Sequence, residues 1–373
     1  MKIGFVLDDT LDKSDGVQQH VLTVGAWLKD QGHEVHYLVA DTTRTDIENV
    51  HSLGRFVNVR YNKNNVRTPL PASRKKIKAL LEAEQFDVLH VQVPYSPLLG
   101  KYVIKYTGPR TAVIGTFHIL PVSRIHGYSN QALRLLLGRS IKRFDKILAV
   151  SEPAVHFARK AYGMKADYLP NPIDISIFRE GRRLPEFKSK KLTIIFLGRL
   201  VRRKGIMELI HAYNHLDDEL AAKTELIVCG KGPLKSKANQ HVRTDRNVVF
   251  KGYVSEKEKP NYLASADIAV FPSTGGESFG IVLLEAMAAG SRVVIGGNNA
   301  GYASILGQQP YLLFNPSDQQ AFTEHLELFI RDEKLRDKMY AWQQTTIGQY
   351  DISVVGPKLV KIYKEALAQR TAA

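Results

Sequence analysis

The chain is 373 residues long, beyond the size at which single hydrophobic cores stop growing, so two domains are expected. Hydrophobic residues make up 44% and charged residues 24%, a balance ordinary for a soluble globular protein, so a stable core is expected without staples. The lone Cys229 excludes a disulfide framework or cysteine metal cage within the chain, and a net charge of +15, from 52 basic and 37 acidic residues, points to anionic partners.

Lys2 to Leu7 reads as a first parallel strand. Its apolar run is too short for a secretory leader and is stopped by Asp8-Asp9, and no stretch has the length of a transmembrane helix, so a cytoplasmic protein is expected. Val17, Val21, Val24 and Leu28 follow at helical spacing. Asp15-Gly16 opens that helix, where a glycine lets the backbone approach a phosphate on the helix N-terminus. The full Gly-x-Gly-x-x-Gly pattern is absent, which counts against a nicotinamide or flavin enzyme. Strands recur at 33–40, 56–61, 88–93, 111–117 and 146–151 with helical patterns between most of them, the signature of a mostly parallel sheet covered on both faces. His118 directly follows a strand, at the end of such sheets where ligands bind, although a lone histidine there also suits a structural role.

Ser73 is placed to cap a basic amphipathic helix carrying Arg74, Lys75, Lys76 and Lys78, with Ile77, Leu80 and Leu81 on one side. Between Glu48 and Asp145 the only acids are Glu82, Glu84 and Asp87, against sixteen Lys and Arg. Within the acid-free stretch 88–144, Arg134, Arg139, Lys142 and Arg143 interleave with Leu133, Leu135, Leu136 and Leu137. That pattern can lay apolar side chains into a lipid interface while cations meet phosphates.

Pro170, Pro172 and the polar segment 179–191 place a hinge, dividing the chain into domains 1–170 and 171–350. Leu192 to Leu197 opens a second sheet and runs into Gly198-Arg199, with Arg202-Arg203-Lys204-Gly205 leading into a helix. Arg199 and Lys204 are thus cations at a strand's carboxyl end, suited to a diphosphate. Further strands are expected at 225–229, 248–250, 266–272 and 292–295. The turn Gly230 to Pro233 lacks the spacing of a P-loop, and Ser255 with Glu258 reads as a capping box. After the strand ending at Pro272 comes Gly275-Gly276-Glu277-Ser278-Phe279-Gly280, then a run of helix formers from Ile281 closed by Gly290. Glu277 lies at or just before the helix N-terminus, where amides favour anionic ligands. Glu285, two turns on in a helix apolar on nearly every side, needs a partner.

The stretch from Gly275 to Gly290, with Glu277 and Glu285 eight positions apart, resembles the Glu-x7-Glu motif of retaining nucleotide-sugar glycosyltransferases of family 4. The whole chain is similar to the bacterial phosphatidylinositol mannosyltransferases within it. The resemblance implies an α/β, GT-B fold: two Rossmann-like domains with parallel sheets facing a central cleft. Residues 1–170 would bind acceptor and membrane, with a C-terminal helix (351–373) crossing back to them, and 171–350 would bind the nucleotide sugar.

By the same resemblance, Glu277 contacts hydroxyls of the donor sugar amid Gly276, Ser278, Phe279, Gly280 and Ile281, while Glu285 meets the ribose. Arg199, Lys204 and the Gly16 loop take the donor diphosphate and His118 the sugar, making His118, Glu277, Arg199 and Lys204 the catalytic set. The turn at Glu256 meets the base, where a carboxylate can accept from guanine N1–H and N2–H₂, groups that uracil lacks. Tyr61, Asn62 and Arg67 resemble the segment that holds the inositol phosphate, and an Arg fork matches phosphate.

The implied activity is retaining transfer of mannose from GDP-mannose to phosphatidylinositol at the inner face of the plasma membrane. The nucleotide sugar is then a substrate, and no resident cofactor or metal is expected; an Asp-x-Asp metal motif is absent. Two alternatives remain open. One is a related transferase using a UDP-sugar and diacylglycerol or a soluble acceptor. The other is a basic nucleic-acid-binding protein, which lacks interleaved aromatic platforms and leaves Glu277 and Glu285 unexplained.

Overall fold

The apolar run Lys2–Leu7 forms β1, near the middle of a sheet that is seven-stranded and parallel throughout. Its neighbours are β2 (Glu34–Val39), β3 (Val50–Ser52), β6 (Val88–Gln92), β7 (Ala112–Phe117), β8 (Lys146–Ala149) and β9 (Asp167–Tyr168), in the order β3-β2-β1-β6-β7-β8-β9. The computed structural model describes residues 1–13, 15–54, 56–61, 64–69, 72–94, 96, 98–118, 138–187 and 191–371, with backbone alone at 56–61, 64–69, 138 and 139. Two units divide the chain: Met1–Pro172 with Ile352–Ala373, and Ile173–Asp351.

In the first unit the helices Gly16–Asp30 and Ile352–Thr371 cover one face of the sheet, where Phe5, Val21, Val24, Leu28, Val355, Leu359 and Tyr363 are buried together. Ile77, Phe86, Leu89 and Val103 form the core on the other side, under the helices Arg74–Glu84 and Leu99–Tyr106. Ser73 caps the basic helix as expected, its hydroxyl accepting from Lys76 N. None of the helices among the described residues is long and apolar enough to cross a membrane.

One expected strand is placed differently. Phe56–Tyr61 is not part of the parallel sheet: as β4 it pairs antiparallel with β5 (Asn64–Pro69) in a separate two-stranded ribbon. The third position beside β2 goes to Val50–Ser52. The two-residue spacing between β4 and β5 admits a hairpin but no parallel crossover. Asn64 to Arg67, part of the segment assigned by resemblance to the inositol phosphate, is therefore strand.

The second unit holds β10 (Leu192–Leu197), β11 (Thr224–Cys229), β12 (Val248–Gly252), β13 (Ile268–Phe271), β14 (Val294–Gly297) and β15 (Leu313–Phe314), all parallel in the order β12-β11-β10-β13-β14-β15. Cys229 is fully buried and burial pushes its thiol up to about 12, so it packs as a small apolar side chain. The two units divide at Pro172/Ile173, within the stretch expected to hold the hinge, and the polar segment that follows is packed where it is described. Arg183 makes a bidentate pair with Asp267 at 2.8 Å and 2.8 Å, and Phe187 is buried. A planar guanidinium matched to a carboxylate is what makes such a charged stretch adhere.

Candidate functional site

Strand order reverses between β10 and β13, which are adjacent in space but separated in sequence by β11 and β12. The carboxyl ends of strands beside such a reversal are the usual ligand position of these sheets. Gly198-Arg199 leaves β10, and Pro272 to Gly280 leaves β13.

Two devices bring these loops together. Arg203 O accepts from Thr274 N at 2.9 Å and lies 2.9 Å from Ser273 Oγ. Gly205, with φ of 75°, presses against the chain where a Cβ would sit 1.8 Å from Pro272 O, so only glycine fits. The result is a charged cluster. Glu277 Oε1 receives Lys204 Nζ at 2.8 Å, Arg203 Nη1 at 2.7 Å and Ser273 Oγ at 2.9 Å. Burial raises the Glu277 carboxyl, but Lys204, Arg203 and Ser273 outweigh it and hold the group below its usual range. It stands as a carboxylate with its charge balanced by cations.

Gly275, Gly276 and Gly280 take φ of 154°, 71° and 111°, turning the chain into the helix Ile281–Ala288, whose amino end is left partly exposed at Ile281 and Val282. Ser278 is half-buried, whereas Phe279 is 2% exposed, its ring packed against Tyr350. Arg199 is exposed just beyond β10.

The partner required by Glu285 is Lys259. Its ammonium lies 3.0 Å from Glu285 Oε1 and 2.5 Å from Glu256 Oε2, with the Lys259 and Glu285 side chains only 6% and 5% exposed. Burial lowers Lys259, but the two carboxylates outweigh it and hold it above its usual range; burial pushes Glu285 upward against the pull of Lys259. Glu256, half-exposed, therefore starts from an ion pair. Ser255 and Glu258 do bond reciprocally, closing the turn just before the helix Lys259–Ala264. Nearby, Tyr253 is 56% exposed with Lys231 Nζ 5.2 Å from its ring centroid. Sequence reasoning missed Lys259, Arg203 and Tyr253; adjacency to Lys204 was the one signal for Arg203.

In the first unit Gly16 is exposed at the start of its helix. His118, 4% exposed, is 2.6 Å from Gln92 Oε1 through Nε2, and its ring meets His20 edge-on at 4.8 Å. Gln92 turns its amide nitrogen to His90 O, so its oxygen faces His118, whose Nε2 therefore carries the proton. His90 links Tyr363 and Thr116, 2.6 Å to each. Burial pushes His118 and His90 well below the usual imidazole range, and His20 down to about 4. Asn171 beside His20 pulls the other way, but burial outweighs it.

These shifts set an acid limit. An imidazole whose folded value is depressed contributes its full stability above its unfolded value near 6.5 and loses it as pH falls toward the folded value. For His20 the loss amounts to about 3 kcal/mol by pH 4. The urea midpoint should thus fall from pH 6.5 to 4, more gently in His20→Leu; equal pH slopes for the two proteins would refute the assignment.

Of the acceptor residues expected, Tyr61 ends β4 opposite Asn64, and Arg67 in β5 pairs with Asn58. Their side chains, and Asn62 altogether, lie outside the described residues. Lys75 and Lys76 are exposed, whereas Arg74 stacks on Tyr102 at 4.7 Å and Lys78 on Tyr106 at 4.8 Å. Arg143 corrects the expectation of a lipid-facing cation: Gly108 O at 2.8 Å, Thr111 O at 2.7 Å and Asp145 hold its guanidinium. Leu133 to Leu137 lie outside the described residues.

Two family profiles cover the chain: "Glycosyltransferase Family 4" over residues 14–177 and "Glycosyl transferases group 1" over 178–344. Among relatives, a phosphatidyl-myo-inositol mannosyltransferase of Mycobacterium tuberculosis is 31% identical over 378 residues, covering 98% of this chain and 97% of the relative. The protein of that name from Mycolicibacterium smegmatis is 30% identical, with 98% and 94% covered. Among solved structures, Anabaena HepE in complex with UDP superposes with a TM-score of 0.78 at 17% identity, covering 98% of this chain and 100% of that one. The lipopolysaccharide glycosyltransferase WaaG gives a TM-score of 0.71 at 18%, with 97% and 99% covered. These two likenesses bear on the fold alone, which is GT-B.

Proposed function

The chain belongs to glycosyltransferase family 4, and from that premise we propose that it moves mannose from GDP-mannose, with retention, onto a phosphatidylinositol-type lipid at the inner face of the plasma membrane. The observation that carries this reading is the convergence of Lys204 and Arg203 on Glu277 at the β10/β13 switch point, beside an open helix N-terminus. Relatives named phosphatidyl-myo-inositol mannosyltransferase match nearly the whole chain.

In the proposed step the bond between the anomeric carbon and the donor phosphate oxygen breaks, and a bond to the acceptor oxygen forms on the same face. The acceptor hydroxyl proton passes to the leaving diphosphate. That diphosphate needs charge stabilisation, for which Arg199, Lys204, the Gly16 loop and the amides at Ile281 are the assigned groups. Fixed cations of this kind serve without a metal in the transfer. Glu277 would orient the sugar, Glu285 the ribose, and neutral His118 would contact the sugar as a hydrogen-bonding group. The half-exposed Glu256 would accept from guanine, with the exposed Tyr253 ring beside it as a stacking surface. Tyr61, Asn62 and Arg67 are assigned to the inositol phosphate, and Arg74, Lys75, Lys76 and Lys78 to anionic lipid. Each cation facing such a leaflet adds about 1 kcal/mol, which makes docking reversible and sensitive to salt.

The test is transfer of labelled sugar to vesicles. GDP-mannose with phosphatidylinositol vesicles should give labelled lipid, less so when the four basic residues are changed to Ser. UDP-sugars, or vesicles holding only diacylglycerol, should give none; labelling in those arms alone would replace the donor or acceptor named here. Alongside it, Glu256→Ala should lower the affinity ratio of GDP to UDP, and an unchanged ratio would remove that carboxylate from base recognition.

A further inference from the structure

In the first sheet the amino ends of β1 and β2 hold a cluster that the transfer reaction does not use. Glu34 and His36 are two residues apart on β2 and so share a face. His51 comes from the adjoining β3, and Glu84 is the last residue of the helix Arg74–Glu84. Ligand atoms of His36, His51 and Glu84 all lie within 4.8 Å of one another. His36 is buried at 3% exposure, with Phe86 edge-on to its ring at 5.2 Å.

The proton positions follow from the partners. A carboxylate only accepts, so the 2.9 Å contact between His36 Nε2 and Glu34 Oε1 puts the His36 proton on Nε2. His36 Nδ1 is then a lone-pair acceptor, and it faces His51 Nε2 at 2.9 Å in nearly the same plane, 4° apart. A buried imidazole whose far N–H is fixed by a carboxylate, with its near lone pair aimed at a second imidazole, is the outer-shell pattern of a metal-bound histidine. We propose that His36 Nδ1, His51 Nε2 and Glu84 form a binding site for a divalent transition metal such as Zn²⁺.

The metal takes the place of the proton between the two rings. His51 moves that proton from Nε2 to Nδ1, so no net proton is released and both rings bind as neutral ligands. The nitrogens open from 2.9 Å to about 3.3 Å, the separation set by tetrahedral bonds of roughly 2.0–2.1 Å. Half-exposed His51 is free to make that movement. Glu84 gives a carboxylate oxygen, water completes the set, and Lys2, now 2.9 Å from Glu84 and 3.1 Å from Glu34, stays with Glu34. Two imidazoles select zinc, cobalt or nickel over magnesium or calcium. The bound ion would clamp the end of the basic helix to the sheet edge.

Lys2 makes the test specific, because it is the internal competitor for Glu84. Tag-free full-length protein titrated calorimetrically with ZnCl₂ should bind one ion per chain in the micromolar range or tighter, with a rise in thermal midpoint. Binding should weaken at least a hundredfold in His51→Ala and in Glu84→Gln, both at partly exposed positions, and strengthen several-fold in Lys2→Gln. Co²⁺ should compete and Mg²⁺ should not. Failure to bind one Zn²⁺ below about 100 μM, or binding indifferent to His51→Ala and Glu84→Gln, would overturn the site.

Discussion

Glu277→Gln should lower turnover by at least about a hundredfold, the size of losing one transition-state electrostatic contact, while donor binding is kept or tightened. The carboxylate sits 2.8 Å from Lys204 and 2.7 Å from Arg203, so removing its charge leaves two cations free to face a diphosphate. Gln preserves shape and an acceptor oxygen, and the loop around it is set by Gly205, Ser273 and Gly280, so the fold should survive. Lys204→Ala should reduce turnover by a similar factor but also weaken binding of the nucleoside diphosphate, because it removes a cation. Steady-state kcat and KM with calorimetric GDP titration separate the two patterns. Near-normal turnover in either variant would strike that residue from the mechanism, and weaker GDP binding in Glu277→Gln would refute the cation argument. Glu277 also has a pH signature: its folded value is depressed, so the stability it contributes is present above about 4.5 and is lost as pH falls through the folded value.

The alternation of strands and helices was legible because parallel strands buried on both faces must be apolar runs, and both sheets are built from such runs. Position within a sheet was less so. Phe56 to Tyr61 reads as a strand from its own residues, but nothing within it says that its neighbour is β5 rather than β2. In the second half the place of Glu277 was legible, since a glycine-rich turn there leads into an apolar helix. Its cationic partners were not, because Arg203 and Glu277 are 74 positions apart and meet only where β10 and β13 lie side by side. Arg183 failed in the opposite sense: a polar stretch looks like linker until Asp267 supplies a fork-matched partner. Lys259 was the hardest to see. A lysine opening a short helix reads as a solvated end, and only the fold reveals that it is sealed beside Glu285.

That burial leads to the second large effect: Lys259→Met should destabilise the second unit by about 3–5 kcal/mol, the range for breaking a buried pair and stranding its partner. Met retains the length and apolar stem of Lys but leaves Glu285, 5% exposed, without a counter-charge. Protonating Glu285 relieves part of the penalty, and burial already pushes its carboxyl upward. The variant should therefore recover stability as pH falls toward 5, opposite in sign to the histidine effect. The thermal midpoint at pH 7.5 should fall on the order of 10 °C. Glu256→Gln should cost no more than about 1 kcal/mol, since that carboxylate is half in solvent. Combining Lys259→Met with Glu285→Leu should restore most of the midpoint, because an apolar pair can replace a buried ion pair at little cost. A midpoint unchanged in Lys259→Met, or no recovery in the double variant, would show that the Lys259 and Glu285 charges are not coupled.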